Sequence, residues 1–584
     1  MKLKRLKLNS QFRSLQAGFE IDFLNDYNLD KLWDFLPYCL VGRNGSGKSN
    51  ILEVLAEIFY HIECIYLDFK PEGFSGEGKF KNIHTEGFFA ESCNPDAFEL
   101  EYYYYIKGDF SRKHFSSSFN IGYDAHIKID KKRNESPKVY WLNRAECVKS
   151  GNTLLERKEV KDFLPDFIVA YSSGENQLIN LPFFKMRFVQ YDEYLYRLIK
   201  DLDYIKPESR FVYLDDYYNQ AVLLSIYLLR EKESLLPFKN ELGLDDIKSF
   251  RLIIKNDEFE KVHKDVFQTI PLEERKNKNK ITRELTSLIS KSIERLKACS
   301  TTSYYNHDTK ELILDYFVDK ECRQAFKFHF ADDAFELFRT FQVLLNLNNY
   351  KTTKKIKQKV YHSKNIYINQ DVIPLPYDEE RIFRFKDVVL KKDNVDEVIY
   401  TKSLSDGEYQ FIHCIGLCLL FRDTNSLFLL DEPETHFNPD WRSNFVSTLR
   451  DCLKQDQTSS LDNRRDLLIT SHSPFIISDC QPENVIIFRK KNSKVEHQTA
   501  KDKGIRTFGT SANILTEEIF GKKESISKLS LEIIEKIKNM PLNSPEDILA
   551  AKEEARILGE SVEKVLLFRE LIIRENELNK QDDK

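Results

Sequence analysis

The sequence predicts an α/β protein in which one sheet-centred domain is split in two by a mainly helical insertion and followed by a helical extension. Two observations carry this. Strand-length apolar runs at residues 38–41, 167–171, 427–430 and 467–470 lie toward the two ends of the 584-residue chain. Between them, from about 185 to 385, runs such as YLYRLIKDL and NQAVLLSIYLLREKESL follow helical spacing instead. The units expected are 1–185, 186–385, 386–500 and 501–584.

Residues 2–23 read as two strands, with Leu3, Leu6 and Leu8 before a polar turn and Phe19, Ile21 and Phe23 after it. Residues 97–129 read as antiparallel strands, and the run ending at Tyr171 is followed by Ser172-Ser173-Gly174. In the insertion, ELILDYFV and CRQAFKFHF look strand-like, so a long uniform coiled coil, which needs sustained heptads, is not expected. Near the end, Ser544-Pro545-Glu546-Asp547 supplies a cap, a first-turn proline and first-turn acids for a helix.

Composition sets limits. With 41% hydrophobic and 31% charged residues, the chain is globular rather than disordered. A net charge of −5 offers no global attraction for nucleic acid, so such contact would need local patches, as in residues 275–283 (RKNKNKITR) and 351–359 (KTTKKIKQK). The ten cysteines contain no CxxC pair; Cys414 and Cys418 read as core residues, and ten unpaired thiols suit a reducing cytoplasm. No apolar run approaches the roughly 20 residues of a membrane span, and no signal peptide is expected at the basic N-terminus.

Four motifs carry chemistry. Gly42-Arg43-Asn44-Gly45-Ser46-Gly47-Lys48-Ser49 fits G-x-x-x-x-G-K-S between an apolar strand and the helical NILEVLAEIF. Its backbone amides, together with a helix N-terminus, favour phosphate; Lys48 adds a point charge and Ser49 a Mg²⁺ ligand. The strand SLFLLDEP ends in Asp431, a Mg²⁺ ligand through water, and Glu432, a general base for an attacking water. About 25 residues upstream, Ser405-Asp406-Gly407-Glu408 opens a helical run and can bind a γ-phosphate at a helix N-terminus, that of a second molecule's nucleotide. Finally, LLITSH ends in His472, placed to stabilise charge on a γ-phosphate, and His436-Phe437-Asn438-Pro439 could reach an opposite subunit.

The ordered set GRNGSGKSN, LSDGE, LFLLDEPETHFNP and LLITSHSPF resembles the ABC-type ATPases of the SMC-like and RecF-like group, over residues 1–185 and 386–490. The resemblance implies a two-lobed ABC ATPase head, ATP and Mg²⁺, and head-to-head homodimers, with higher oligomers open. It extends the nucleotide contacts to Asn50. It also implies a glutamine ligand to Mg²⁺ after a middle strand; IVAYSSGENQ offers Ser172, Ser173 and Gln177, with Gln177 the residue of the expected type.

More narrowly, YSSGENQ, SLSDGEYQFIH, DEPETHFNP and RTFGTSANILTEEIFG are similar to the PtuA ATPases of Septu-type and retron-associated antiphage systems. That likeness implies control of a separate HNH nuclease of the PtuB kind, and where a retron is present, its reverse transcriptase and DNA–RNA product as partners. Two alternatives stand beside it. One is a DNA-repair ATPase of the SMC/RecF kind that binds DNA directly. The other is an overcoming-lysogenization-like ATPase fused to a nuclease, which would need a D-x-D after His472; the remaining 112 residues contain none. The expectation is thus an ATPase that is not itself a nuclease.

Overall fold

The computed structural model describes residues 1–24, 37–67, 71, 93–106, 123–147, 152–173, 179–200, 210–213, 218–255, 278–364, 373, 376–393, 395, 397–453, 465–522 and 526–582. Its centre is a seven-stranded sheet with the order Lys494–Thr499, Val485–Lys491, Tyr38–Gly42, Asp466–Ser471, Leu427–Asp431, Ile168–Ser172 and Phe211–Tyr213. All pairings are parallel except the edge hairpin of the first two strands.

Both faces of this sheet are covered, which is why its strands read as unbroken apolar runs. Leu40, Ala170, Leu427, Leu429 and Leu468 bury on one face, with the helix Lys48–Tyr66 against them. Cys39, Val41, Val169, Phe428, Leu430 and Ile469 bury on the other, with the helix Asp406–Leu420. Chain segments from before and after the insertion thus interleave in one sheet, as the α/β reading requires. Its edge strand Phe211–Tyr213, however, comes from within residues 186–385, so the sheet draws on the chain beyond the expected boundary at 185.

An antiparallel sheet, Glu20–Asp22, Lys2–Leu8, Phe98–Ile106, Tyr123–Lys131 and Lys138–Trp141, shares the core beneath Lys48–Tyr66. The described residues of the insertion are mainly helical, as expected, but they include a strand that the sequence reading did not anticipate. This 12-residue strand, Leu244–Lys255, pairs with Glu311–Phe317 and with Phe383–Lys392, in a second antiparallel sheet that Thr302–Asn306 and Ile399–Tyr400 complete. ELILDYF is a strand as expected. CRQAFKFHF is instead helical within Lys320–His329, because Asp319 caps it at Cys322 N (2.8 Å) and Cys322 and Phe326, four apart, bury on one face.

The last helices, Lys528–Lys538, Pro545–Ala555 and Val562–Asp582, enclose a small core of their own around Ile537, Ile548, Ala551 and Leu567. Ser544 caps the second as the sequence indicates, accepting from Asp547 N at 3.2 Å. Cys414 and Cys418 are buried core residues. Among the described residues no helix is long and apolar enough to cross a membrane.

Candidate phosphate and magnesium site

Parallel strands direct their C-terminal ends to one edge of the sheet, where α/β proteins bind ligands. Here that edge collects Gly42, Ser172, Asp431 and Ser471. Register then explains the surroundings of Asp431. It pairs with Ser172 on one neighbouring strand and Thr470 on the other, so all three side chains share a row and a face. Thr470 Oγ1 donates to Asp431 Oδ1 at 2.6 Å and Ser172 Oγ to Oδ2 at 3.3 Å. Ser49, at the start of the helix on that face, donates to Oδ1 at 2.8 Å.

Burial raises the Asp431 carboxyl above its usual range, against the pull of those hydroxyls. A hard divalent cation answers that cost. The oxygen-only set of Ser49 and Asp431 fits Mg²⁺, which keeps several waters and shares phosphate oxygens rather than demanding a full protein cage. Gln177 lies outside the described residues. Of its two alternatives, Ser172 touches Asp431, whereas Ser173 Oγ pairs with Thr435 Oγ1 at 3.0 Å.

The candidate phosphate loop runs from Gly42 into the helix at Lys48, with Gly47 in the left-handed region at φ 100°. Asn44 and Gly45 are exposed and Ser46 is buried. Lys48 is 5% exposed; its Nζ donates to Gly42 O at 3.1 Å and lies 2.9 Å from His472 Nε2. Burial lowers its pKa, opposed by Glu432 and Asp431. Asn50 Nδ2 donates to Ser14 Oγ at 2.6 Å, which ties the loop to the N-terminal segment. Arg43 reaches the other way and donates to the carbonyl of Phe520.

Glu432 has φ 47°, and its amide is held by Thr470 Oγ1 at 3.0 Å. Its Oε1 lies 3.2 Å from His472 Nε2, a contact that holds the carboxyl below its usual range. Lys48, Glu432 and His472 therefore form one polar cluster beside the Asp431 row.

Ser405–Glu408 occupies a separate position. Ser405 caps the helix Asp406–Leu420, and Glu408 Oε2 accepts from Ser405 N and Oγ at 2.8 and 2.9 Å while Lys392 pairs with its other oxygen. Asp406 is exposed. A Cβ on Gly407 would stand 2.8 Å from the His436 carbonyl, so only glycine fits that approach. Two connections that the sequence reading missed join this helix to the acidic strand: Gln410 Oε1 accepts from His436 N at 2.9 Å, and Gln410 Nε2 donates to Glu432 O at 3.4 Å. A glutamine five residues after a serine cap was the available signal.

Among known proteins, the model of the family described as AAA ATPase domain matches residues 1–477. The chain belongs to the AAA ATPase domain family. Similar solved structures include an SmcHead bound to the C-winged helix domain of ScpA, at 10% identity, TM-score 0.33, and coverage of 86% of this chain and 100% of that one. Another is an Smc head domain with a coiled coil and joint derived from Pyrococcus yayanosii, at 13% identity, TM-score 0.29, and coverage of 86% and 98%. No curated protein matches the chain.

In this AAA ATPase domain one further buried acid is expected to couple stability to pH. Glu434 accepts from Ser471 Oγ, yet burial pushes its carboxyl up to about 7. The folded state therefore holds this proton more tightly than the unfolded chain, whose glutamates titrate near pH ~4.3. Stability falls as pH rises between those two values and stays reduced above about 7. Glu434→Gln should match wild type in thermal melting at pH 4 and melt several degrees higher at pH 8. Glu53, also pushed up to about 7, keeps its own part of the slope in both proteins.

Proposed function

We propose that this AAA ATPase domain hydrolyses ATP in composite sites formed by two copies face to face, and that its nucleotide state governs a separate effector. The carrying observation is the division of motifs. Lys48, Ser49, Asp431, Glu432 and His472 converge on one sheet edge, whereas Ser405–Glu408 lie outside that cluster and border the segment after the acidic strand through Gly407, beside His436, and through Gln410 on the same helix.

In this reading the phosphate loop, residues 42–50, holds the triphosphate, and Lys48 leaves its carbonyl partner for a phosphate oxygen. Ser49 and Asp431 would hold Mg²⁺, which supplies charge neutralisation across the phosphates. Glu432 takes the proton of the attacking water, and His472 steadies charge as the γ-phosphate departs. The partner copy presents its own Ser405 and helix N-terminus, whose hydroxyl exchanges Glu408 for phosphate.

For the effector, the PtuA-like motifs support an HNH nuclease of the PtuB kind in an antiphage system, with a retron and its DNA–RNA product where one accompanies it. A second reading, direct DNA binding, has a specific surface. Lys355, Lys359 and His362 are exposed at i, i+4 and i+7 of the helix Lys354–His362, while Lys357 is buried against Asp192.

The composite site is tested with two inactive variants. Ser405→Arg should bind ATP normally and not hydrolyse it. Mixed before ATP addition with Glu432→Gln, it should regain activity, since a mixed dimer contains one site with both motifs intact. Random two-fold pairing sets the ceiling at about a quarter of wild-type activity. Hydrolysis by Ser405→Arg alone at the wild-type rate would place the entire site within one chain.

A further inference from the structure

The family match ends at residue 477, but the chain returns to the phosphate loop after it. Thr507 Oγ1 donates to Cys480 O at 2.6 Å, and Ser478 Oγ to Thr510 O at 3.0 Å. These bonds tie the segment to the short helix Pro474–Ser478 that follows His472. From there the helix Ala512–Phe520 buries Leu515 and Ile519 in the core that lines one face of the central sheet, and ends at Gly521 in the left-handed region, φ 70°.

Its last residue meets the site twice. The Phe520 ring lies against the His472 ring, centroids 6.0 Å apart and planes 29° apart. The Phe520 carbonyl accepts from Arg43 Nε at 3.1 Å and Nη2 at 2.9 Å. A guanidinium at a helix C-terminus is favoured by the helix dipole and by the last carbonyls, which lack partners within the helix. Gly521 makes room for it, since a Cβ there would stand 3.2 Å from Arg43 Nη2.

We propose that Phe520 is a positioning residue for His472, locked in place by Arg43, so that the segment beyond residue 477 completes the ATP site. The proposal rests on the ATPase reading above. His472 Nε2 lies 2.9 Å from Lys48 Nζ and 3.2 Å from Glu432 Oε1, so both contacts meet at a single ring nitrogen and fix its position more than the plane of the ring. An aromatic face packed on the ring holds that plane. Because misplacing a reacting group by about 1 Å can cost ~10²-fold in rate, the stacking belongs to kcat rather than to ATP affinity. Arg43 sits in the phosphate loop, so the same latch ties the loop to the end of the helix Ala512–Phe520.

The test uses the full chain, measuring ATP Kd with a fluorescent analogue, kcat, KM and melting temperature. Phe520→Leu keeps apolar bulk and should melt near wild type, bind ATP within about twofold and lose about tenfold or more in kcat. Phe520→Tyr, which restores the ring, should recover most of kcat. A Phe520→Leu enzyme with wild-type kcat overturns the proposal. So does a Phe520→Tyr enzyme as slow as Phe520→Leu at unchanged melting temperature. If wild type itself fails to hydrolyse ATP, the ATPase reading has failed instead.

Discussion

Glu432→Gln should bind ATP as tightly as wild type and turn it over at least about 10²-fold more slowly, the lower end of what a positioned general base contributes. The substitution is nearly isosteric. The strand end keeps Glu432 in place through the hydrogen bond its backbone N–H donates to Thr470 Oγ1 at 3.0 Å, so the left-handed turn at φ 47° survives. A glutamine amide can still hydrogen-bond His472, through its oxygen or its nitrogen as the ring tautomer requires. What disappears is the ability to take a proton, together with one negative charge facing the nucleotide's phosphates. Affinity should not suffer from that loss, since the Glu432 charge supports Lys48 but opposes the triphosphate. Binding energy that hydrolysis would normally release then holds two copies together. Gel filtration with ATP should show a dimer that persists in the variant and decays in wild type. A Glu432→Gln enzyme with wild-type turnover would remove Glu432 from the role of base.

The parts of this site legible in the sequence are those in which local chemistry and local structure coincide. Lys48 and Ser49 follow a strand and glycine turn that fold within a dozen residues, and Asp431 ends a strand too apolar to lie anywhere but in a buried sheet. The neighbours of Asp431 depend on register between strands about 260 and 40 residues away, so Ser172 could be seen as one of several candidates but not ranked, and Thr470 was not singled out at all. The strand Leu244–Lys255 was hidden for a related reason. Its alternation is irregular, and its pairing breaks register against Phe383–Lys392 at several points. Phe520 lay beyond reach altogether, because nothing in RTFGTSANILTEEIFG announces that its last aromatic returns to a histidine 48 positions earlier.

Lys48→Ala should weaken ATP binding by about 10²-fold or more, the cost of one or two charge-assisted hydrogen bonds at ~1.5–3 kcal/mol each. Geometry makes the loss hard to repair. Lys48 is 5% exposed and its amine sits among Gly42 O, His472 and the acids that end the strand Leu427–Asp431. Alanine leaves Asp431 and Glu432 without the cation that offsets them, in a place where burial already raises Asp431. Without it, both carboxyls shift toward protonation and the site meets the triphosphate with less positive charge at its centre. Arginine is no substitute, because a planar guanidinium cannot occupy the position of a compact ammonium beneath the loop. Lys48→Arg should therefore be nearly as defective as Lys48→Ala, in equilibrium binding as well as turnover. Undiminished affinity in Lys48→Ala would mean that residues 42–49 are a structural turn and that phosphate binds elsewhere. Lost affinity with an unchanged melting profile would tie the defect to phosphate recognition itself, since the strand, helix and sheet edge around Lys48 would still be in place.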